Sequence, residues 1–109
     1  MDQTVADFVD RFNEAVSSGD WGKFARWFTD DAVIEFSDVP VPAMRGRAEI
    51  EAGYRSAPPD DTITMTDCRS SGDVHEVAYR WDTEGMGGGR FRLTMRDGLV
   101  AHNVISLTS

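Results

Sequence analysis

Asp38 is the residue best suited to acid–base chemistry. It keeps the alternation of Ala32, Ile34 and Phe36, so an extended strand would aim its carboxylate in the same direction as those apolar side chains. A carboxylate that aromatic walls partly remove from water has a raised pKa and can act as a general base. The alternative is an ordinary turn aspartate before Val39-Pro40. The spacing makes Asp38 the first candidate catalytic residue.

Two neutral hydrogen-bonding side chains complete the predicted catalytic set. Tyr54 lies on the apolar stripe of a predicted helix, where a buried phenol needs a partner. Asn103 is the polar member of an otherwise apolar inward row in the last predicted strand, where an unpaired amide costs a few kcal/mol. Together they could donate hydrogen bonds to a ligand carbonyl. Hydrogen bonding of each side chain to the backbone is the alternative.

Aromatic residues could form the wall of a site for a flat or hydrophobic ligand, although such residues are more often plain core. His75 has the parity of Tyr79 and could transfer a proton, but its place at a strand start beside Gly72-Asp73 predicts a solvent-exposed rim position. The predicted ligand-binding residues are Phe12, Trp27, Phe36, His75, Tyr79, Trp81 and Phe91.

Metal and phosphate sites are not expected. Cys68, His75 and His102 lack the short spacing of metal ligands, and His102 is predicted to lie on the opposite face of its strand, at a surface or interface. The glycine cluster 85–89 links two predicted strands with no helix behind it, so it indicates a hairpin tip. We therefore predict neither a metal nor a cofactor.

Three helices are predicted to position these residues. The first carries an apolar stripe with helical spacing, the second begins after Asp20, and the third runs over 47–57 before Pro58-Pro59. The stripes are Val5, Phe8, Val9, Phe12 and Val16; Trp21, Phe24, Ala25 and Phe28; and Ile50, Gly53, Tyr54 and Ala57.

The rest of the chain reads as strands. A short strand is predicted at 30–36, and alternation predicts further strands over 62–69, 74–83, 89–96 and 99–107. Asp97-Gly98 is a strong signal for a tight hairpin, so this tail is an antiparallel meander. Val100 and Val104 make the outer row of the last strand apolar, which predicts that a dimer partner or an overlying terminus covers it.

Composition bounds the class of protein. Eleven basic and nineteen acidic residues among 109 give a net charge of −8, which disfavours nucleic acid and anionic membranes as partners. The lone Cys68 cannot form an intrachain disulfide, and neither a signal peptide nor a membrane span is visible. The sequence predicts one soluble, cytoplasmic domain over residues 1–109.

Three segments resemble the nuclear transport factor 2-like superfamily, in its ketosteroid isomerase-like and polyketide cyclase-like branch. They are 12–20 with its Gly-Asp pair, 28–35 with Asp30-Asp31-Ala32, and 45–50 with Gly46 and Ile50. The resemblance implies an α+β fold, a cone-shaped roll of three N-terminal helices packed on a strongly curved, mostly antiparallel sheet.

The functional residues of that branch match poorly. The resemblance puts its strand-one aspartate on Phe36, unless a register shift substitutes Ser37 or Asp38, and its helix-one tyrosine on Phe12. The second acid would fall near Phe91, where no carboxylate points inward. Tyr54 alone matches a family tyrosine, the one on helix three that supports the oxyanion hole. A standard ketosteroid isomerase is therefore not expected.

Two functions remain open. The first is a protein that binds a hydrophobic small molecule, with isomerase, cyclase or epoxide hydrolase chemistry that needs no cofactor. The second is a non-catalytic binding or dimerisation module whose pocket is filled by Phe12, Phe28, Phe36 and Phe91. Both are compatible with a homodimer, and fold alone does not decide between them.

Overall fold

The computed structural model describes residues 3–107 and confirms the α+β prediction: three helices pack on one curved, unclosed sheet. The sheet order is β2-β1-β6-β5-β4-β3, with β1 and β6 parallel and all other pairs antiparallel. The helices are α1 (Gln3–Ser18), α2 (Trp21–Ala25) and α3 (Arg47–Ser56), and the strands are β1 (Phe28–Phe36), β2 (Met44–Arg45), β3 (Ile63–Ser71), β4 (Val74–Trp81), β5 (Gly88–Arg96) and β6 (Leu99–Ser106).

The second helix is shorter than predicted. Asp20 caps it, since its Oδ1 accepts from the Lys23 backbone N–H at 3.0 Å, but the helix ends at Ala25. Phe28, expected on its stripe, instead begins β1 and pairs with Val100 of β6. Its side chain is fully buried in the strand, as the helical stripe also required, so the spacing of apolar residues could not show where the helix ends and the strand begins.

A β-bulge in β6 corrects the predicted faces of that strand. Thr94 of β5 pairs with His102, but its neighbour Met95 pairs with Val100, which leaves Ala101 as an extra residue. The bulge turns Val100 inward, where it is 2% exposed, while Asn103 keeps its inward orientation. The predicted apolar outer row therefore loses Val100.

The strand register arranges the inward side chains in rows across the sheet. The row that we call the floor row contains Ile34, Asn103, Leu93 and His75. The next row lies two residues away on each strand, in the direction from Ile34 to Phe36. This middle row contains Phe36, Ile105, Phe91 and Val77. Successive rows lie about 6.6 Å apart along the strands.

Aromatic packing closes the core between the helices and the sheet. Phe24 of α2 contacts Phe28 and Phe8, with ring centroids 5.2 and 5.6 Å apart. The predicted hairpin at Asp97-Gly98 is present, with both residues at positive φ (55° and 79°), as its tight turn requires.

Candidate functional site

A cavity of about 190 Å³ lies between α1, α3 and the inner face of the sheet. Its walls come from both helices, from the segment after α3 and from five strands, and none of its thirteen lining side chains is charged. The lining residues are Phe8, Phe12, Phe36, Tyr54, Ala57, Pro59, Ile63, Tyr79, Trp81, Phe91, Asn103, Ile105 and Leu107.

Asn103 is the polar residue of the floor row that lines this cavity. It is 2% exposed, and its row neighbours Ile34 and Leu93 are completely buried. Within residues 3–107 its Oδ1 is buried and has no hydrogen-bond partner. An unsatisfied buried amide costs about 1–3 kcal/mol, so the protein keeps an unfavourable group at the cavity floor.

Two tyrosines add neutral hydroxyl groups. Tyr54 of α3 stacks on Trp21 at 4.7 Å with an interplanar angle of 9°, and burial, with a smaller effect of Tyr79, raises the pKa of its phenol strongly. Burial raises the pKa of Tyr79 as well. No residue in the described range 3–107 forms a hydrogen bond with either hydroxyl, so both are neutral donors available at the cavity.

Gly89 makes room for Tyr79. The two residues face each other across β4 and β5, and a Cβ atom at Gly89 would lie only 2.8 Å from the Tyr79 hydroxyl oxygen. Any side chain at Gly89 would therefore displace the Tyr79 ring or the strand. The shape of the cavity wall here depends on this glycine.

Asp38 lies beside the cavity and does not line it. Its carboxylate accepts hydrogen bonds from the Ser106 hydroxyl and the Leu107 backbone N–H, each at 3.0 Å. Its charge is the second cause, after burial, of the raised pKa of Tyr79. Because Leu107 and Tyr79 both line the cavity, the carboxylate is held near its edge.

The structure brings most of the predicted ligand-binding aromatics to this cavity: Phe12, Phe36, Tyr79, Trp81 and Phe91. Sequence reasoning did not select Phe8, Ala57, Pro59, Ile63, Ile105 and Leu107 for the site. Ile105 and Leu107 could have been found, since they alternate with Asn103 along one strand. Pro59 and Ile63 gave no signal, because their place depends on the path of the chain after α3.

Two predicted site residues lie elsewhere. Trp27 packs against α1, with the Arg11 guanidinium 3.4 Å from its ring centre, because the chain turns there from α2 into β1. His75 is 5% exposed, so its predicted rim position is wrong; its Nδ1 is hydrogen-bonded to the Ser70 hydroxyl at 2.7 Å. Leu93 separates it from Asn103 in the floor row.

The outer face of the sheet carries the remaining charged candidates. His102 pairs there with Glu35 of β1. Arg96 pairs with Asp31, and Asp82 accepts from the hydroxyls of Thr62 and Thr64.

Within residues 3–107, no group of three or more His, Cys, Asp or Glu side chains could hold a metal ion. In the same part of the chain, no helix is long and apolar enough to cross a membrane.

Solved structures share this fold. A candidate isomerase from Bacillus subtilis is 17% identical (TM-score 0.77, covering 97% of this chain and 88% of that one). A candidate ketosteroid isomerase from Kribbella flavida is 18% identical (TM-score 0.76, covering 98% of this chain and 79% of that one). A candidate polyketide cyclase from Sinorhizobium meliloti is 21% identical (TM-score 0.69, covering 91% of this chain and 93% of that one). At these identities the likeness shows the fold alone.

Comparison with curated proteins found no match. The model of the SnoaL-like domain matches residues 9–103, a range that extends from α1 to Asn103 and so includes most of the cavity wall. The chain therefore belongs to the SnoaL-like domain family, within the nuclear transport factor 2-like fold.

Proposed function

We propose that this protein binds a small, largely apolar molecule whose oxygen atom is hydrogen-bonded by Asn103. The observation that carries the proposal is the buried Asn103 amide, which faces an apolar cavity and has no partner within residues 3–107. The unpartnered atom is the amide oxygen, so a ligand hydroxyl that donates to it would satisfy it. The N–H₂ group of the same amide can also donate to an oxygen of the ligand.

The cost of the free amide supports a binding role. A leucine of similar size would fill the same place without leaving a polar atom unpaired, and a purely structural floor would need no amide. A bound ligand whose hydroxyl donates the missing hydrogen bond removes the cost only in the complex. The amide therefore favours molecules with a hydroxyl group over hydrocarbons of the same shape.

A thermal-shift screen of the purified protein tests this proposal. The panel contains steroids, polyketide-like aromatics, terpenoids and small epoxides, and a ligand at a hundred times its dissociation constant should stabilise the protein by about 2.7 kcal/mol. The shift should weaken strongly in Asn103→Leu and less in Tyr54→Phe. If no class of compound shifts the transition, the binding proposal fails and protein partners become the next search.

Acid–base catalysis by Asp38 is the second candidate function. It is favoured by one observation, a carboxylate fixed by two hydrogen bonds at the edge of the cavity. Asp38 would take a proton from a carbon next to the ligand carbonyl and return it to another carbon. The Asn103 amide and a tyrosine hydroxyl would stabilise the charge that develops on the oxygen. This isomerisation needs neither metal nor cofactor.

Asp38→Asn tests the catalytic role once a ligand is known. We expect turnover to fall by about a hundred- to ten-thousand-fold, with little change in thermal stability, because asparagine can still accept the Leu107 hydrogen bond. The exposed Asp60, which follows the cavity residue Pro59, provides a matched control. Asp60→Asn should leave turnover unchanged, and full activity of Asp38→Asn would remove Asp38 as the base.

A homodimer is part of the proposal. The contact would use the outer face of β6. Because Val100 turns into the core, the outward-facing residues of this strand are His102, Val104 and Ser106. A size measurement in solution at micromolar concentration decides it. A clean monomer would contradict the dimer without affecting the proposed ligand site, because the cavity lies on the inner face.

A further inference from the structure

We infer that the ligand is an uncharged molecule about the size of one substituted ring, bound with its oxygen toward the cavity floor. This inference rests on the proposed binding function and adds the size, the charge and the orientation of the ligand. Three properties of the cavity carry it: its volume, its lining and the depth of Asn103.

The volume of the cavity limits the size of the ligand. Cavities that enclose drug-sized ligands measure roughly 300–1,000 Å³, and an apolar protein cavity of about 150 Å³ accommodates benzene. The cavity here measures about 190 Å³. It therefore encloses one ring with a small substituent, while a molecule of four fused rings would have to leave most of its surface outside.

The residues that line the cavity determine which ligand charge it can accept. The thirteen lining residues include no acid, lysine, arginine or histidine, and an ion buried without a countercharge is strongly disfavoured. Burial raises the pKa values of Tyr54 and Tyr79, so both phenols stay neutral where an ordinary tyrosine would begin to ionise. At the edge, the Asp38 carboxylate also repels an anion. The cavity thus suits a neutral molecule.

The pairing register of the strands indicates the orientation of the ligand. Asn103 lies in the floor row between two completely buried side chains, and Phe36, Ile105 and Phe91 of the cavity lie one row, about 6.6 Å, away, in a row where Phe36 and Ile105 are partly exposed. A ring whose oxygen meets the Asn103 amide would therefore lie among these three apolar side chains. Trp81, two residues beyond Tyr79 on β4, would face the ring's far end.

Four matched probes test the inference: 1-phenylethanol, ethylbenzene, benzoate and a four-ring ketosteroid. 1-Phenylethanol and ethylbenzene differ only in the hydroxyl group, which can donate to the Asn103 Oδ1, and benzoate has a similar size with a negative charge. Affinities are measured at pH 7 by calorimetry or by NMR titration of the purified protein. We expect 1-phenylethanol to bind at least tenfold more tightly than ethylbenzene, benzoate and the steroid.

Two pairs of variants sharpen the test. Asn103→Leu should abolish the preference for 1-phenylethanol over ethylbenzene, and a preference that survives would overturn the orientation. Trp81→Phe should weaken 1-phenylethanol binding several-fold, while Trp27→Phe, which alters a tryptophan outside the cavity, should leave it unchanged. Equal effects of the two tryptophan variants would contradict the position of the ring.

Failure of the inference is distinguishable from failure of the proposed function. If the ketosteroid or benzoate binds more tightly than 1-phenylethanol and the binding depends on Asn103, the size or the charge is wrong but the site stands. If 1-phenylethanol shows no binding up to its solubility limit, the inference is overturned. If in addition no compound of the wider screen binds, the proposed function falls with it.

Discussion

Two asparagines of this chain have contrasting surroundings. The Asn13 amide in α1 has a partner at each of its polar atoms, since its Nδ2 donates to the Ile63 carbonyl at 2.9 Å and its Oδ1 accepts from the Ile63 N–H at 2.8 Å. The Asn103 Oδ1 in β6 is more deeply buried and has no partner among residues 3–107. The same side chain therefore completes the structure at one site and leaves it incomplete at the other.

The difference follows from the backbone that each amide faces. Ile63 begins β3, the last strand of the sheet, and such an edge leaves backbone groups unpaired. Asn13 satisfies those groups and joins α1 to the sheet edge. Asn103 stands on β6 between β1 and β5, where the strands already pair with each other, so its amide faces the cavity. An amide at an edge stabilises the fold, and an amide over a cavity is free to select a ligand.

Asn13→Leu should have the largest effect on stability. The change removes two hydrogen bonds, each worth about 1 kcal/mol, and leaves the Ile63 backbone groups without partners, so we expect the free energy of unfolding to fall by about 2–3 kcal/mol. Urea unfolding measures it. A loss below about 0.5 kcal/mol would mean that water replaces the amide and would remove the contrast with Asn103.

Asn103→Leu should have the opposite sign. Without ligand, the variant replaces an unpaired buried amide by an apolar group of similar size, so the free energy of unfolding should rise by about 1 kcal/mol. The same urea measurement serves, with Asn13→Leu as the matched control. A decrease of 2 kcal/mol or more would show that the Asn103 amide has a structural role and would contradict its assignment to a ligand.

High pH tests the neutrality of the cavity. The pKa of Tyr54 is raised by burial above its ordinary value of 10.0, so the unfolded chain loses this proton first. The contribution of the neutral Tyr54 to the free energy of unfolding is fully present below pH 10 and is lost as the pH rises further. Tyr54→Phe should remove this part of the fall, as followed by urea unfolding at a series of pH values. An identical fall in the variant would show that Tyr54 ionises normally in the folded protein.

A surface pair provides the smallest expected effect. The Arg96 guanidinium, with a smaller contribution from Thr29, lowers the pKa of Asp31 below 3.8, so this contact stabilises the fold above that pH and is lost in more acidic solution. Arg96→Gln should raise the Asp31 pKa toward its ordinary value, as measured by NMR titration, without a resolvable change in stability, because both groups are exposed. An unchanged pKa would mean that the pair does not persist in solution.

Much of the fold could be predicted from the sequence, because periodicity reports directly which face of an element is buried. The apolar stripe of α1, the limits of α3 and the hairpin at Asp97-Gly98 all follow from local spacing. The errors occur where the chain changes from one period to another. Phe28 was predicted to lie in a helix and lies in a strand. The bulge at Ala101 places Val100 on the opposite face from the predicted one.

The candidate site was only partly predictable. Alternation indicated that Asn103 points inward, and aromatic spacing indicated most of the wall. Trp27 and His75 could not be placed, because their neighbours Arg11 and Ser70 come from other elements and satisfy them away from the cavity. Asp38 was predicted to share the direction of the apolar side chains of its strand, but the two groups that hold it, in Ser106 and Leu107, lie 68 and 69 positions further along the chain.

The sequence by itself determined the α+β class, the order of the elements and the inward direction of Asn103, because these depend on the spacing of neighbouring residues. Only the tertiary structure decided that this amide has no partner and that about 190 Å³ remains open above it. A cavity is the space that helices and sheet fail to fill when they pack. Its size and its polar groups therefore depend on distances between residues far apart in the chain, which no local pattern records.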